Sequence, residues 1–146
     1  MRQYPVLNTQ VIGQTESALG AILDPILAQT RISFPQWLVL TVAASGGGSA
    51  ERDQLVSRIT DARKVEDAVV LAAVTDLAGA GLVAEDSGQV TLTRAGQTRY
   101  QDVRARIADV TARLFADLAA DDLRTAGRVL TIITERANAV LAGSPS

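Results

Sequence analysis

The sequence predicts a mainly α-helical fold of six helices with one short β-hairpin. Apolar residues recur every three or four positions along most of the chain, which is the spacing of an amphipathic helix. Cap residues, prolines and glycines divide that pattern into separate helices. The exception is LVAEDSGQVTLT, in which short alternating runs flank a turn. This stretch predicts strands over residues 82–85 and 89–93.

The first two helices have clear boundaries. The first is predicted over about residues 8–29, and Pro25 should kink it or split off its last turn. The second begins at Ser33 and Gln36, which have the spacing of a capping box. It ends at the three glycines of residues 46–48, where the helical pattern stops.

The third and fourth helices are short and lie directly before the hairpin. Ser49 can cap the third helix, which is predicted over about residues 50–60. After a turn at residues 60–62, the fourth helix is predicted over about residues 64–78. Thr93 can cap a long fifth helix behind the hairpin, and a sixth long helix completes the chain. Both long helices carry one continuous apolar stripe.

This order of elements is specific. Two helices joined by a tight turn form a helix-turn-helix, and a hairpin directly after them is a wing. We therefore predict a winged helix-turn-helix, in which a helix enters the DNA major groove and the wing lies along the backbone or minor groove. Residues 1–146 are treated as one domain, with a DNA-binding lobe at about 33–96. Dimerisation helices are expected at about 1–30 and 97–142.

The terminal helices carry more apolar surface than one winged-helix core can bury. The simplest solution is a homodimer in which these helices pack together, and a monomeric six-helix bundle is the alternative. A two-fold dimer would also place two DNA-reading lobes roughly 34 Å apart, one turn of the duplex. The residues predicted at the dimer interface are Leu7, Val11, Leu114, Leu118, Leu130, Ile133 and Val140.

The composition excludes several classes of function. The formal net charge of −2 gives no global attraction to nucleic acid or to an anionic membrane, although a local basic patch is compatible with it. The chain has no Cys and no His, which removes thiol catalysis, the commonest metal ligand and the commonest acid–base catalyst. We therefore expect no enzyme activity, no cofactor and no metal. Without a signal peptide or a membrane-spanning run, the expected location is the cytoplasm, with no membrane partner.

Three stretches follow the pattern of one protein family. ISFPQWLVL, residues 32–40, places a small polar residue before a Q-W/F-x-x-L pattern in the second helix. LAGAGLV, residues 77–83, has an L-x-x-x-G-L-V exit from the fourth helix, and LTRAG, residues 92–96, has an L-T-x-x-G return from the wing. In this order and spacing, the chain resembles the MarR-type (multiple antibiotic resistance regulator) winged-helix family over nearly its whole length.

The resemblance implies a dimeric DNA-binding transcriptional regulator, usually a repressor. Many family members bind a small aromatic or phenolic molecule in a pocket between the dimer helices and the DNA-binding lobes, which weakens DNA binding. The candidate pocket residues are Trp37, Tyr4 and Tyr100, because planar rings stack on aromatic ligands. The alternatives are a core position for Trp37 and interface positions for the two tyrosines.

The candidate DNA contacts are cations at the ends of helices and of the wing. They are Arg52, Arg58, Arg63, Lys64 and Arg94. Arg63 and Lys64 would lie at the start of the fourth helix, where it meets the groove, and a solvated turn is the alternative. Arg94 can anchor a phosphate, or it can pair with Glu85 across the hairpin.

Residues 65–93 depart from the pattern of a DNA reader. They contain five acidic residues and no basic one, and the wing tip EDSG lacks the D-x-R motif of the family's longer wing. The positions expected to face DNA are Val69, Leu71, Ala72 and Asp76. They offer no hydrogen-bond donor to bases or phosphates. The alternative function is therefore a winged-helix dimer that has lost DNA reading and acts as a protein-interaction or ligand-binding module.

Overall fold

A computed structural model describes residues 2–143 of the chain. These residues form six helices and one three-stranded antiparallel sheet, which confirms the mainly α-helical fold class. The helices are α1 (Thr9–Thr30), α2 (Phe34–Ser45), α3 (Arg52–Arg63), α4 (Asp67–Gly79), α5 (Arg94–Leu114) and α6 (Ala120–Leu141). The strands are β1 (Ser49–Glu51), β2 (Val83–Asp86) and β3 (Gln89–Leu92).

The chain divides into two compact units. The first unit ends at Asp109 and contains the helix-turn-helix, the sheet and most of α5. The second begins at Val110 and contains the last turn of α5 and all of α6. No helix within residues 2–143 is long and apolar enough to span a bilayer.

The predicted capping box at the start of α2 is confirmed. The Ser33 hydroxyl accepts a hydrogen bond from the Gln36 backbone N–H at 3.2 Å, and the Gln36 side chain accepts one from the Ser33 N–H at 3.0 Å. Of the two outcomes predicted for Pro25, a kink or a separate last turn, the second does not occur, because α1 continues through Pro25 to Thr30. A side chain from another helix stabilises the last turn of α1: Arg99 of α5 donates to the Thr30 carbonyl oxygen at 2.7 Å.

The sheet has one strand more than the predicted hairpin. β2 and β3 form the expected two-stranded wing, and β1 pairs with β3 on its other side, giving the order β1-β3-β2. The prediction that Ser49 caps the third helix is wrong, because Ser49 pairs with Thr91 in the sheet. Glu51 caps α3 instead, accepting from the Asp53 N–H at 3.2 Å. As a result α3 begins at Arg52, later than the sequence predicts.

A turn of two residues closes the wing and is tied to α3. Asp86 pairs with Gln89, and Ser87 and Gly88 between them both have positive φ angles, of 50° and 79°. This conformation suits the right-handed twist of an antiparallel pair. The backbone N–H of Arg52 donates to the Gly88 carbonyl oxygen at 2.8 Å, so the wing tip is fixed against the start of α3.

One core joins α2, α3, α4 and the sheet. Its fully buried side chains come from each of these elements and from α5, where Val103 packs inward. The largest are Leu40, Leu55, Leu77, Val39, Val70, Val74, Val90 and Val103. The helix-turn-helix and the wing are therefore supported by the same packed interior.

Where the wing returns into α5, the backbone at Gly96 packs directly against the backbone at Leu82. The Thr93 hydroxyl donates to the Gly81 carbonyl oxygen at 2.7 Å and accepts from the Gly96 N–H at 3.0 Å, which confirms Thr93 as the cap of α5. A Cβ atom added to Gly96 would lie 1.9 Å from the backbone oxygen of Leu82. Only glycine therefore fits at this position of LTRAG.

Replacing Gly96 with alanine is expected to destabilise the protein. The methyl group would have to displace the backbone at Leu82, and overpacking of this kind costs about 1–3 kcal/mol or more. The measurement is urea denaturation at one fixed protein concentration. Gly79→Ala is the matched control: it lies in a helix with no heavy atom within 4 Å of the added Cβ. That control should be neutral or stabilising by up to about 1 kcal/mol, and equal midpoints for the two variants would contradict the packing argument.

Candidate nucleic-acid interface and ligand cavity

Helix α4 presents one buried side and one exposed side. Val70, Val74 and Leu77 point into the core. Val69 and Asp76 are exposed on the opposite side, as the sequence predicts. The prediction that Leu71 also faces outward is wrong: it is half-buried and packs against the core, because its position on the helix turns it away from the centre of the exposed side.

The exposed side of α4 lacks the chemistry of base recognition. It carries no Lys, Arg, Asn or Gln, which are the side chains that read base edges. Its one hydroxyl, on Thr75, donates to the Leu71 carbonyl oxygen at 3.1 Å and is occupied within the helix. Asp76 adds a negative charge that repels phosphate. The structure therefore bears out the apolar and acidic character inferred from the sequence.

Two of the five candidate DNA-binding cations lie at the ends of α3 in local contacts. The Arg52 guanidinium is 3.6 Å from a carboxylate oxygen of Glu85, an exposed pair of the kind that contributes little to stability. Glu85 therefore pairs with Arg52, not with Arg94 as considered from the sequence. The Arg63 guanidinium lies over the Phe34 ring, 5.3 Å from its centroid. Along α3, these two cations are separated by about 16 Å.

The other three cations are exposed. Lys64 caps α3 in a left-handed conformation, with φ of 56°, and its ammonium group donates to the Asp61 carbonyl oxygen. The prediction that Arg63 and Lys64 lie at the start of the fourth helix is wrong, because α3 extends to Arg63 and α4 begins at Asp67. Arg58 lies in the middle of α3, and Arg94 begins α5. The five cations thus lie at the start, middle and end of α3 and at the start of α5. Phosphate contacts from them would be dispersed.

A cavity of about 480 Å³ opens between the end of α2 and the first turns of α5. The glycine turn before β1 and the end of β3 complete its wall. The lining residues are Ala44, Ser45, Gly47, Gly48, Leu92, Gln97, Tyr100, Gln101 and Arg104. A guanidinium, two amides and a hydroxyl therefore converge beside one aromatic ring, a set of groups suited to an anionic planar molecule.

Only one of the three candidate pocket residues lines this cavity. Tyr100 is part of its wall, and Trp37 stacks behind that ring with the centroids 5.3 Å apart and the planes 20° from parallel. Tyr4 is 77% exposed and lies under the Arg2 guanidinium. Sequence reasoning missed Gln97, Gln101 and Arg104. Their i, i+4, i+7 spacing was the available signal, and it also fits an ordinary solvated helix face.

Large apolar side chains are exposed near the N-terminus, on α1, at the end of α5 and on α6. Of the seven residues predicted at a dimer interface, six are exposed, and Val11 is half-buried. Val140 is 65% exposed, and Leu130 and Ile133 are each 38% exposed. Helix α6 has no buried residue in the isolated chain, although its apolar residues form a stripe.

No protein-family model matches the sequence, and no curated protein matches it. Solved structures do match. Ligand-free NadR superposes with a TM-score of 0.75 at 19% identity, covering 92% of this chain and 98% of NadR. CouR from Rhodococcus jostii RHA1, bound to p-coumaroyl-CoA, gives a TM-score of 0.72 at 14% identity, covering 85% and 89% of the two chains. The MarR family protein Rv2887 of Mycobacterium tuberculosis, in complex with salicylic acid, gives 0.62 at 20% identity, covering 84% and 94%.

The chain has the MarR-type winged-helix fold. The solved structures that share it include transcriptional regulators of the MarR family, so the resemblance seen in the sequence is confirmed at the level of the fold. Within this MarR-type fold, α3 and α4 are the helix-turn-helix, and β2 and β3 are the wing. In this chain α4 contains no basic residue, and the wing tip carries Glu85 and Asp86.

Neutralising Asp76 on α4 and Asp86 at the wing tip should tighten binding to DNA. Asp76→Asn with Asp86→Asn is expected to raise affinity for a labelled 20-base-pair duplex at low salt roughly three- to tenfold, since each exposed charge contributes about 0.3–0.7 kcal/mol. Fluorescence anisotropy measures the change. The control is Asp121→Asn with Asp122→Asn, the same change of charge at the start of α6. If both double variants gain affinity equally, net charge alone is responsible. The placement of the two acids on the helix-turn-helix and wing, together called the head below, then has no role.

Proposed function

We propose that this chain is a homodimeric, ligand-responsive transcriptional regulator that engages DNA through its winged helix-turn-helix. The observation that carries the proposal is the match to MarR-type regulators over almost the full length of both chains. A match of that extent includes the long helices outside the head as well as the head itself. Fold alone does not fix function, so the support from individual surfaces is needed too.

The apolar surface supports a dimer. A stripe of apolar residues on a helix normally packs against another element, but α6 has none of its residues buried in the single chain. A second copy would cover Leu130, Ile133 and Val140 and the other exposed residues of the predicted interface. In a two-fold arrangement each copy offers the same surface to the other.

The cations around the head support DNA contacts to the backbone in preference to contacts with bases. Arg58, Lys64 and Arg94 are exposed and can reach phosphates, whereas α4 offers bases no donor. Phosphate contacts position a protein on a duplex and carry no sequence information directly. We therefore expect binding that is weak, strongly dependent on salt and modest in sequence selectivity.

The cavity supports a small anionic aromatic effector. Arg104 can pair with a carboxylate, and Tyr100, backed by Trp37, can pack against a ring. Two regulators of the same fold have been solved with aromatic acids, NadR with 4-hydroxyphenylacetate and Rv2887 with salicylic acid. In the proposed mechanism, the effector and DNA favour different separations of the two heads. Effector binding then weakens DNA binding by a shift in population.

The proposed dimer predicts a particle of twice the chain mass of 15.3 kDa in sedimentation equilibrium. Leu130→Glu with Ile133→Glu should reduce it to the monomer, because two charges would be buried at the centre of the apolar stripe. Thr131→Glu with Asn138→Glu adds the same charge on another side of α6 and should leave the dimer intact. A wild-type monomer at micromolar concentration would remove the basis of the proposal.

The proposed response to ligand predicts that salicylate or 4-hydroxyphenylacetate, used as probes, releases the protein from a duplex upstream of its own coding region. Binding of either probe should also change the fluorescence of Trp37, the single tryptophan. Arg104→Ala should weaken probe binding about ten- to a hundredfold, because a charge-assisted hydrogen bond contributes roughly 1.5–3 kcal/mol.

Arg58→Ala, which changes a cation on the head and not in the cavity, is the control for this response and should bind the probes normally. A protein that binds no duplex at low salt contradicts the DNA part of the proposal. A protein that binds duplex but keeps it at saturating concentrations of both probes contradicts a role for this class of effector.

A further inference from the structure

We propose that the exposed side of α4 is a docking surface for a protein partner that presents an apolar ridge flanked by Lys or Arg side chains. One face of a basic amphipathic helix has this chemistry. The surface, called the α4 face below, comprises Ala68, Val69, Ala72, Thr75 and Asp76. This inference goes beyond the proposed regulator function and does not depend on DNA binding.

The α4 face is a continuous strip with a small apolar centre. Its other members lie three and four residues before and after Ala72, which places all of them on one side of the helix with Ala72 at the middle. Val69 is 42% exposed, and Ala68 and Ala72 are also exposed. The small side chains let a partner backbone approach closely. From Ala68 to Asp76 the strip is about 12 Å long, enough for about two turns of a partner helix.

Acidic residues lie at both ends of this strip. Glu66 and Asp67 stand at the start of α4, and Asp76 stands on the face near its other end. All three are exposed, and α4 itself contains no basic residue. The nearest preceding base in the sequence, Lys64, lies outside α4 and caps α3. A partner that places cations beside an apolar ridge would match this arrangement, because complementary charges steer and orient association.

The same chemistry argues against the other occupants. A nucleic acid would bring phosphates against Asp76 and find no donor on the face. A second copy of this face, in a two-fold contact, would bring the acids of one copy against those of the other. A small molecule would find a convex helix there, whereas the cavity described above lies between α2 and α5. A basic, apolar protein surface is the occupant that satisfies both features.

The test is an amide NMR titration of the full chain with a synthetic 14-residue amphipathic peptide of Leu, Ala and Arg. Chemical-shift changes are expected to concentrate in residues 66–79. Asp76→Arg and Ala72→Glu should each weaken binding at least fivefold, the first by repelling the cations and the second by occupying the apolar centre. Both positions are exposed, so both variants should fold. Asp122→Arg, an exposed acid of α6, is the matched control and should bind like the wild type.

Three results would overturn the inference. Shifts spread evenly over all acidic segments, or an equal response to Asp122→Arg, would show attraction by net charge only. Shifts of the α4 amides on adding a duplex, with none on adding the peptide, would make the surface a nucleic-acid interface. Shifts of the same amides on dilution alone would make it a contact between copies. The duplex titration asks only which residues contact the duplex, whereas the proposed regulator function fails when no duplex binds or when the wild type is a monomer. Failure here is therefore distinct from failure of that proposal.

Discussion

The head of this protein depends on one close approach of backbone to backbone. Gly96 lies against the carbonyl of Leu82 with no room for a side-chain atom, and Thr93 bonds to the chain on both sides of that contact. The exit from α4 and the start of α5 are therefore joined at one point. The wing strands, which lie between these two points in the sequence, are short. The contact at Gly96 also fixes the direction in which α5 begins. The placement of Tyr100 against Trp37 follows from it, because Tyr100 lies one helical turn beyond Gly96.

The distribution of charge divides the molecule by element. Helix α5 carries five arginines against two aspartates, whereas α4 and the wing carry acids without bases. Three of the arginines of α5 have local uses. Arg99 bonds to the end of α1 and Arg106 to the Gln29 side chain, while Arg104 lines the cavity. These three arginines thus hold helices together or line a candidate ligand site, and they lie away from α4 and the wing.

The parts of the fold that depend on neighbouring residues could be predicted from the sequence. Local spacing is enough to predict the capping box of Ser33 and Gln36 and the cap at Thr93. The periodic spacing of apolar side chains within each helix is enough to predict the helix. β1 was missed because three residues are too few to show alternation, and Ser49 is as typical of a helix cap as of a strand. The inward position of Leu71 depends on where α4 sits on the core, which its own sequence does not specify.

The candidate sites were harder to predict, because they join distant parts of the chain. The cavity combines Ser45 with Arg104, and the ion pair combines Arg52 with Glu85. In both cases the sequence offers several partners of suitable chemistry and no means of choosing between them. The acidic and apolar character of α4 could be inferred in advance, since it depends only on which residue types are present there.

The order β1-β3-β2 leaves β2 with one side unpaired. A strand in that position displays free backbone donors and acceptors, and it can pair with the same strand of another molecule to begin uncontrolled stacking. In this chain the last two residues of β2 are Glu85 and Asp86, both exposed. Like charges placed side by side oppose such edge-to-edge association. The acidic hairpin tip, unfavourable for a polyanion, is thus also unfavourable for a second copy of the same strand edge.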